Sequence, residues 1–519
     1  MLKLRYLFPF LLLLSALGSL SLPGCKPREE QLQDSGGLAF SADTVKFDTV
    51  FTTLRTVTKR LWVYNRNPKA VNIDLISLDN PSTSPYTLLI NGDLQQTAAN
   101  LLVRGQDSLL ILVRAQLKDN GLNGAAKTYV QEDKLNFSTN GQQQHVLLRS
   151  FGQNIYLHQN VQLACNSVWS SDRPHVLYGT VLVPARCTLR VKPGTRIYAH
   201  AGAALVVEGT LLVNTPADFA PGTGATDTIS AKNANVVRFA GDRSGEAQYA
   251  TAPGQWTGIV LDAPSRNNLL RYALVQNSTF GVLLYNPKND QATQPDLTIQ
   301  NSVLRYISGS GVSFAAGQSN TGLPGAAVLS LSGRVSATNT LFSDCYEYAV
   351  LGYGGGSFDL NFCTVANFPA TGAVRKTASL TFTNASAADT TLRYPLAVSV
   401  RNSVVWGSID DELFFQHYDA YKASVSVRNS ALKTTLYNLA ADGANKPGLN
   451  AGALNNLVNQ DPKFVRPYGG ILADYRLGST SPARLRGPAV GTNNPLRDLL
   501  NLPRDAAKTS LGAYESTKP

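Results

Sequence analysis

The residues of this chain best equipped for chemistry are a handful of carboxylates. Asp410 and Asp411 stand side by side, followed by Glu412 and, shortly after, His417. Two neighbouring carboxyl groups can divide the work of a glycosidase, one as general acid and one as the base that activates water. Here the pair follows Trp406-Gly407-Ser408, a setting that equally suits a solvated acidic turn. A second trio, Asp344, Glu347 and Asp359, could approach one another and hold calcium beside a basic residue. Tyrosines flank Glu347, however, and read as a packed loop. Gly241-Asp242-Arg243 reads as a turn anchored by a local ion pair. No CxxC is present and the 5 histidines stand apart, so no metal or other cofactor is expected.

The elements that must position these groups follow from composition. At 519 residues the chain is too long for one ordinary core. Charged residues make up 16%, where a typical domain carries about 25%. Val, Thr, Tyr and Phe gather in short runs between turns supplied by 42 Gly and 26 Pro, which predicts an all-β chain and excludes a helical bundle or a multispanning membrane protein. The net charge of +11 is dispersed, with no run of four basic residues and no reading element, so nucleic acid is not an expected partner.

Residues 1–25 combine Lys3 and Arg5, an apolar run from Leu7 to Leu22, and Leu22-Pro23-Gly24-Cys25. The last four resemble the lipobox of bacterial lipoproteins, although Pro23 is unusual there. That resemblance implies cleavage before Cys25, its acylation, and a lipid anchor in the bacterial outer membrane. Cleavage removes Lys3 and Arg5 and lowers the charge to +9. Residues 26–37 read as a flexible tether, and the acidic bias of Glu29, Glu30 and Asp34 leaves both a surface-exposed and a periplasm-facing orientation open.

Residues 38–160 alternate apolar and polar in about seven strands, among them 58–65, 71–76, 108–113, 135–138 and 145–148. The run Val63-Tyr64-Asn65-Arg66-Asn67, then Ile73 to Ile76, then Asp107-Ser108-Leu109 resembles the immunoglobulin-like modules that open bacterial surface lipoproteins. An antiparallel β-sandwich with a spacing and docking role is what that likeness implies.

From residue 161 to 519 one block recurs. Leu297-Thr-Ile-Gln-Asn301-Ser-Val-Leu304 matches blocks starting at Val335, Phe358, Val398 and Val425, with a looser copy at Asn268. The starts lie 29, 38, 23, 40 and 27 residues apart, the pattern of a coil with loop insertions. The first and third positions of each block should face a common core, and Asn301, Asn339, Asn402 and Asn429 should take a left-handed bend and hydrogen-bond their stacked neighbours. Together with Val191-Lys-Pro-Gly-Thr-Arg-Ile197, Gly254-Gln-Trp-Thr-Gly-Ile259 and the closing Asp461-Pro-Lys-Phe464, Asp474-Tyr-Arg-Leu477 and Leu511-Gly-Ala-Tyr-Glu515, these blocks resemble a right-handed parallel β-helix (a solenoid) of the pectin-lyase-like superfamily. Trp256 then reads as a packing residue. Stacked positions on adjacent turns lie ~4.8 Å apart, within reach of a disulfide. Cys165 and Cys187 are favoured as a bridge over Cys345 and Cys363 because Cys345 lies beyond its own block.

The same resemblance includes polygalacturonase-like hydrolases, whose Asn-Thr-Asp, Gly-His-Gly and Arg-Ile-Lys segments are absent here. No catalytic residue is therefore assigned. The fourth block position faces outward and carries Arg271, Arg401 and Arg428. Stacked like charges there suit either an anionic glycan or lipopolysaccharide, or plain solvent exposure. Trp406, Tyr394 and Tyr421 are candidate stacking platforms. The expected protein is a lipid-anchored, non-catalytic envelope protein that binds a glycan or another envelope component. A polysaccharide lyase or hydrolase, and a structural or assembly lipoprotein, stand as alternatives.

Overall fold

The computed structural model describes residues 32–121 apart from 55 and 57, then 128–219, 233–307, 322–369, 374–491 and 494–516. Cys25 and the first half of the expected tether lie outside these residues. The chain divides into two compact units at Asn154/Ile155.

The first unit is built from two five-stranded sheets that share one core. Alternation makes this possible. In Ser108–Ala115 every second side chain is buried, so Leu109, Ile111 and Val113 meet Phe137, Val146 and Leu148 of the opposite sheet. Asn65 is buried and its amide nitrogen donates to the carbonyls of Lys69 (2.8 Å) and Val103 (3.0 Å), tying a turn to a strand end. Among the described residues ten strands are present rather than about seven, because two-residue strands such as Ala39–Phe40 and Asp93–Leu94 are too short to alternate visibly. One pairing departs from the antiparallel expectation: Gln142–Gln153 runs parallel to Thr44–Phe51. Leu32 bridges Ala70, and the Gln33 amide donates to the Ala70 carbonyl at 2.7 Å, so the chain engages this unit six residues before Leu38.

The second unit is dominated by parallel sheets of 18 and nine strands, an arrangement compatible with a β-solenoid. Strand His175–Val183 pairs along one half with Arg196–Ala199 and along the other with Ala204–Val207. The larger sheet is thus two stacks side by side, and with the nine-stranded sheet they give three strands per turn. Inward positions of all three stacks form a single interior, including Leu297, Ile299, Phe358, Leu360, Val398 and Val400 from the first and third block positions. Cys165 and Cys187 are bridged. Cys345 and Cys363 are free and buried, where burial pushes both thiols up.

At the block corners Asn301, Asn339, Asn402 and Asn429 all adopt positive φ, between 47° and 52°, which an Asn side chain tolerates better than most. Their amides split into two groups. Asn429 accepts from Asn455 at 3.0 Å, as stacked neighbours should, whereas Asn402 donates at 2.8 Å to Asn361, the residue before the Phe362 corner. Asn301 and Asn339 donate instead to the backbone carbonyls of Asp498 (3.2 Å) and Arg497 (2.6 Å). A second ladder is built by the serines that follow. Ser403 Oγ accepts from the Cys363 amide at 3.0 Å, and Ser430 Oγ from the Ser403 amide at 3.2 Å.

Candidate functional site

The two long sheets present different outer faces. On one stack of the larger sheet, Leu274, Val303, Leu341, Thr364, Val404, Ala431 and Leu457 are successive register partners pointing away from the interior. All seven are buried, and all but the threonine share a second core with Phe464, Tyr475, Leu477, Leu499, Leu511 and Tyr514. The closing stretch of the chain therefore lies along this outer face. Hydrogen bonds fix it: Tyr475 OH donates to Asp344 at 2.6 Å, the Ala513 amide to Thr364 Oγ1 at 2.9 Å, and Arg504 to the Asn339 side-chain oxygen at 2.7 Å.

Among the described residues, the outer face of the nine-stranded sheet stays open over its middle turns. Asp296, Arg334 and Ser357 are register partners on consecutive strands, each one position before its block. Beside them runs a column of Leu269, Thr298, Ser336 and Asp359. These columns floor a basin of about 640 Å³. A second basin of about 410 Å³, walled by Gln291, Gln294, Tyr394 and Tyr421, shares Arg334 and Ser357 with the first. Gly356 makes the junction possible. Its φ is +102°, and a β-carbon there would lie 2.2 Å from the Gly333 carbonyl oxygen. The groove has a mixed polar and apolar lining, Leu212, Leu269 and Leu396 included, and its charges are paired. Arg334 lies 3.8 Å from Asp296, and Arg401, next to the floor, holds Asp359 through contacts of 2.5 and 3.0 Å.

Of the four residues expected to form one ligand face, Arg271, Arg401 and Arg428 share one outward column of the nine-stranded sheet, Arg401 and Arg428 as register partners, and Trp406 does not join them. Arg271 packs its guanidinium against Phe219 and Tyr272, at 5.4 and 4.6 Å from the ring centres. Arg401 is neutralised by Asp359, which relieves the expected repulsion with Arg428. Arg428 is exposed and donates to Ser426 at 3.0 Å. Trp406 belongs to the other sheet and packs at the edge of the closing segment, with Lys433 5.9 Å from its ring. Of the candidate platforms, Tyr394 and Tyr421 do line the groove. Trp256 is buried, its indole donating to the Gln276 carbonyl at 2.9 Å.

The candidate acids serve as fasteners. Asp411 accepts from the amides and hydroxyls of Thr434, Thr435 and Leu436. Burial works against its charge, but these bonds win and hold it below the usual range. Glu412 is wholly buried against Arg375 at 2.8 and 2.9 Å and accepts from Ser379 Oγ at 2.5 Å. Asp344, buried under Tyr475, is pushed up to about 6 by loss of solvation. Asp344 follows strand Leu341–Ser343 of the larger sheet and is bonded to Tyr475, whereas Asp359 lies in Gly356–Asn361 of the nine-stranded sheet and is held by Arg401. In the Gly241 turn, Arg243 pairs with Glu246 at 3.0 Å and Asp242 with His200 at 2.6 Å.

One cluster escaped the sequence. In the opening turn His158, His175 and Trp169 stack with ring centres 4.6–5.2 Å apart. His175 Nε2 faces the Ser170 carbonyl at 3.3 Å, so it carries the proton, and its Nδ1 accepts from His158 Nε2 at 2.9 Å. Burial lowers His158 to about 4; burial and the neighbouring imidazole lower His175 to about 3.

Among the described residues no helix is long and apolar enough to cross a membrane, and no three metal-ligating side chains gather. No family model and no curated protein matches the chain. Among solved structures, a family 123 glycoside hydrolase from Clostridium perfringens, described for glycolipid glycan hydrolysis, is similar at 9% identity and a TM-score of 0.16, over 26% of this chain and 30% of that one. The seventh PapD-like domain of human CEP192 is similar at 13% identity and a TM-score of 0.16, over 26% of this chain and 95% of that one. Likenesses this slight carry no argument about fold or function.

Proposed function

We propose that this chain is a lipid-anchored protein of the bacterial outer membrane, in which an immunoglobulin-like unit carries a right-handed parallel β-helix of pectin-lyase-like type. The β-helix binds an envelope glycan in the groove of its nine-stranded face and does not cleave it. The observation that carries this reading is the contrast between the two outer faces: one is filled by the chain's own closing segment, while the other offers a strand-floored groove of mixed polar and apolar lining. The engagement of the groove's own carboxylates, Asp296 and Asp359, by Arg334 and Arg401 supports a non-catalytic groove. The lipobox-like Leu22-Pro23-Gly24-Cys25 supports the anchor.

Incubation of the purified chain with neutral and acidic polysaccharides tests the binding role. Retention on a glycan without new ends supports it; new reducing or unsaturated ends contradict it. For the anchor, Cys25→Ala should release the protein from membranes, and continued membrane partition of that variant would refute it.

A further inference from the structure

Resting on the glycan-binding reading, we infer that the ligand is a neutral, extended oligosaccharide that runs along the axis of the coil and is gripped at Arg334. The two basins join at Arg334 and Ser357, and their lining residues come from six successive strands, from Thr210–Val213 to Leu396–Arg401. At ~4.8 Å per strand the groove spans ~24 Å. It crosses the strands, so a chain lying in it follows the coil axis.

The electrostatics select the ligand class. An anionic polymer needs unpaired cations along its path. Here Arg334 faces Asp296 and Arg401 is engaged by Asp359, so an approaching anion would meet a carboxylate beside each guanidinium. Sugar hydroxyls both donate and accept. A floor that sets carboxylate, guanidinium and the hydroxyls of Thr298, Ser336 and Ser357 among apolar side chains such as Leu212 and Leu269 suits their mix of hydroxyls and C–H faces. Arg334 is the one groove cation common to both basins, with a half-exposed side chain. At one end Tyr394 offers an apolar ring edge with a polar tip.

The test is binding of the full chain to an array of neutral and anionic glycans, followed by titration at about 0.05 and 0.5 M salt. A neutral glycan should be retained with an affinity that changes by less than about twofold across that range. Arg334→Ala should weaken it by about tenfold or more without moving the unfolding midpoint. Arg428→Ala, outside the groove, should leave it unaltered. Retention of anionic glycans alone, with affinity falling steeply with salt, would overturn this inference and leave the glycan-binding reading standing. Retention of no glycan would overturn that reading itself. Neutral binding that survives Arg334→Ala would overturn the assignment to this groove.

Discussion

Val303 and Thr298 are five residues apart in one turn of the same coil, both pointing outward, and they meet opposite fates. Val303 is fully buried beneath the closing segment, whereas Thr298 faces the groove. The backbone is parallel strand at both positions. A coil with three outer faces can thus cover one with its own chain and leave another open, and the outward side chains decide which. An apolar column recruits a cover because its burial is favourable by roughly 25 cal/mol per Å². A column of Asp, Arg, Thr and Ser gains nothing comparable by being covered.

The largest expected effect breaks this contrast directly. Val303→Lys should destabilise the coil by about 3–5 kcal/mol by forcing an unpaired charge under the closing segment, while Thr298→Lys should stay within about 0.5 kcal/mol. Denaturant unfolding checks both; equal losses would mean the faces do not differ. Next, Glu412→Gln should cost about 3 kcal/mol, since Arg375 is left buried without its counter-charge. A stable Glu412→Gln protein that lost an enzymatic activity would return this residue to a catalytic role.

The histidine stack extends the comparison to the opening turn and to pH. Both imidazoles have folded values below the unfolded value of about 6.5, at about 4 and about 3. The unfolded chain therefore binds the extra protons first. Stability is fully present above about 6.5 and is lost as pH falls from there towards the folded values. Asp344 acts oppositely: its raised value means that protonation near 6 favours the folded state. The histidine part is isolated by His158→Gln, which should flatten the fall in unfolding midpoint between about pH 6.5 and 4. An unchanged slope would remove the stack from the account. The smallest effect sharpens the groove. Asp359→Asn should alter stability by only ~0–1 kcal/mol because the pair with Arg401 is partly exposed. It should nonetheless add salt-dependent binding of anionic glycans by freeing Arg401 beside Arg428.

Much of the coil was legible in the blocks. Their first and third positions are buried, apart from the half-buried Val425, and their Asn corners turn left-handed because few other side chains fit there. Two corners carry Tyr272 and Phe362 instead, at φ 45° and 53°, held by aromatic and cationic packing rather than by an amide. That packing depends on partners remote in sequence. The covered face was also written in the chain, as the doublets Val303-Leu304, Leu341-Phe342, Val404-Val405 and Ala431-Leu432. Two apolar residues in succession mean that both sides of a strand are buried. The groove column was visible only in part. Asp296, Arg334 and Ser357 keep the block spacings of 38 and 23 residues. The doublets mark which outward column is covered, but the remote residues that cover it, Leu477, Leu499 and Leu511 among them, are joined to it only once the chain is folded. The Arg401–Asp359 pair is a diagonal between turns, readable only after the register is known.

The contrast between a covered and an open face is most directly tested by thiol labelling of two single variants, Ser336→Cys and Leu341→Cys, five residues apart on different sheets. The native Cys345 and Cys363 are buried and contribute little background. The thiol introduced at position 336 should react at the rate of an exposed one, and the thiol at 341 only when the closing segment detaches or the coil unfolds. Fast labelling at both positions, or protection at both, would contradict the account.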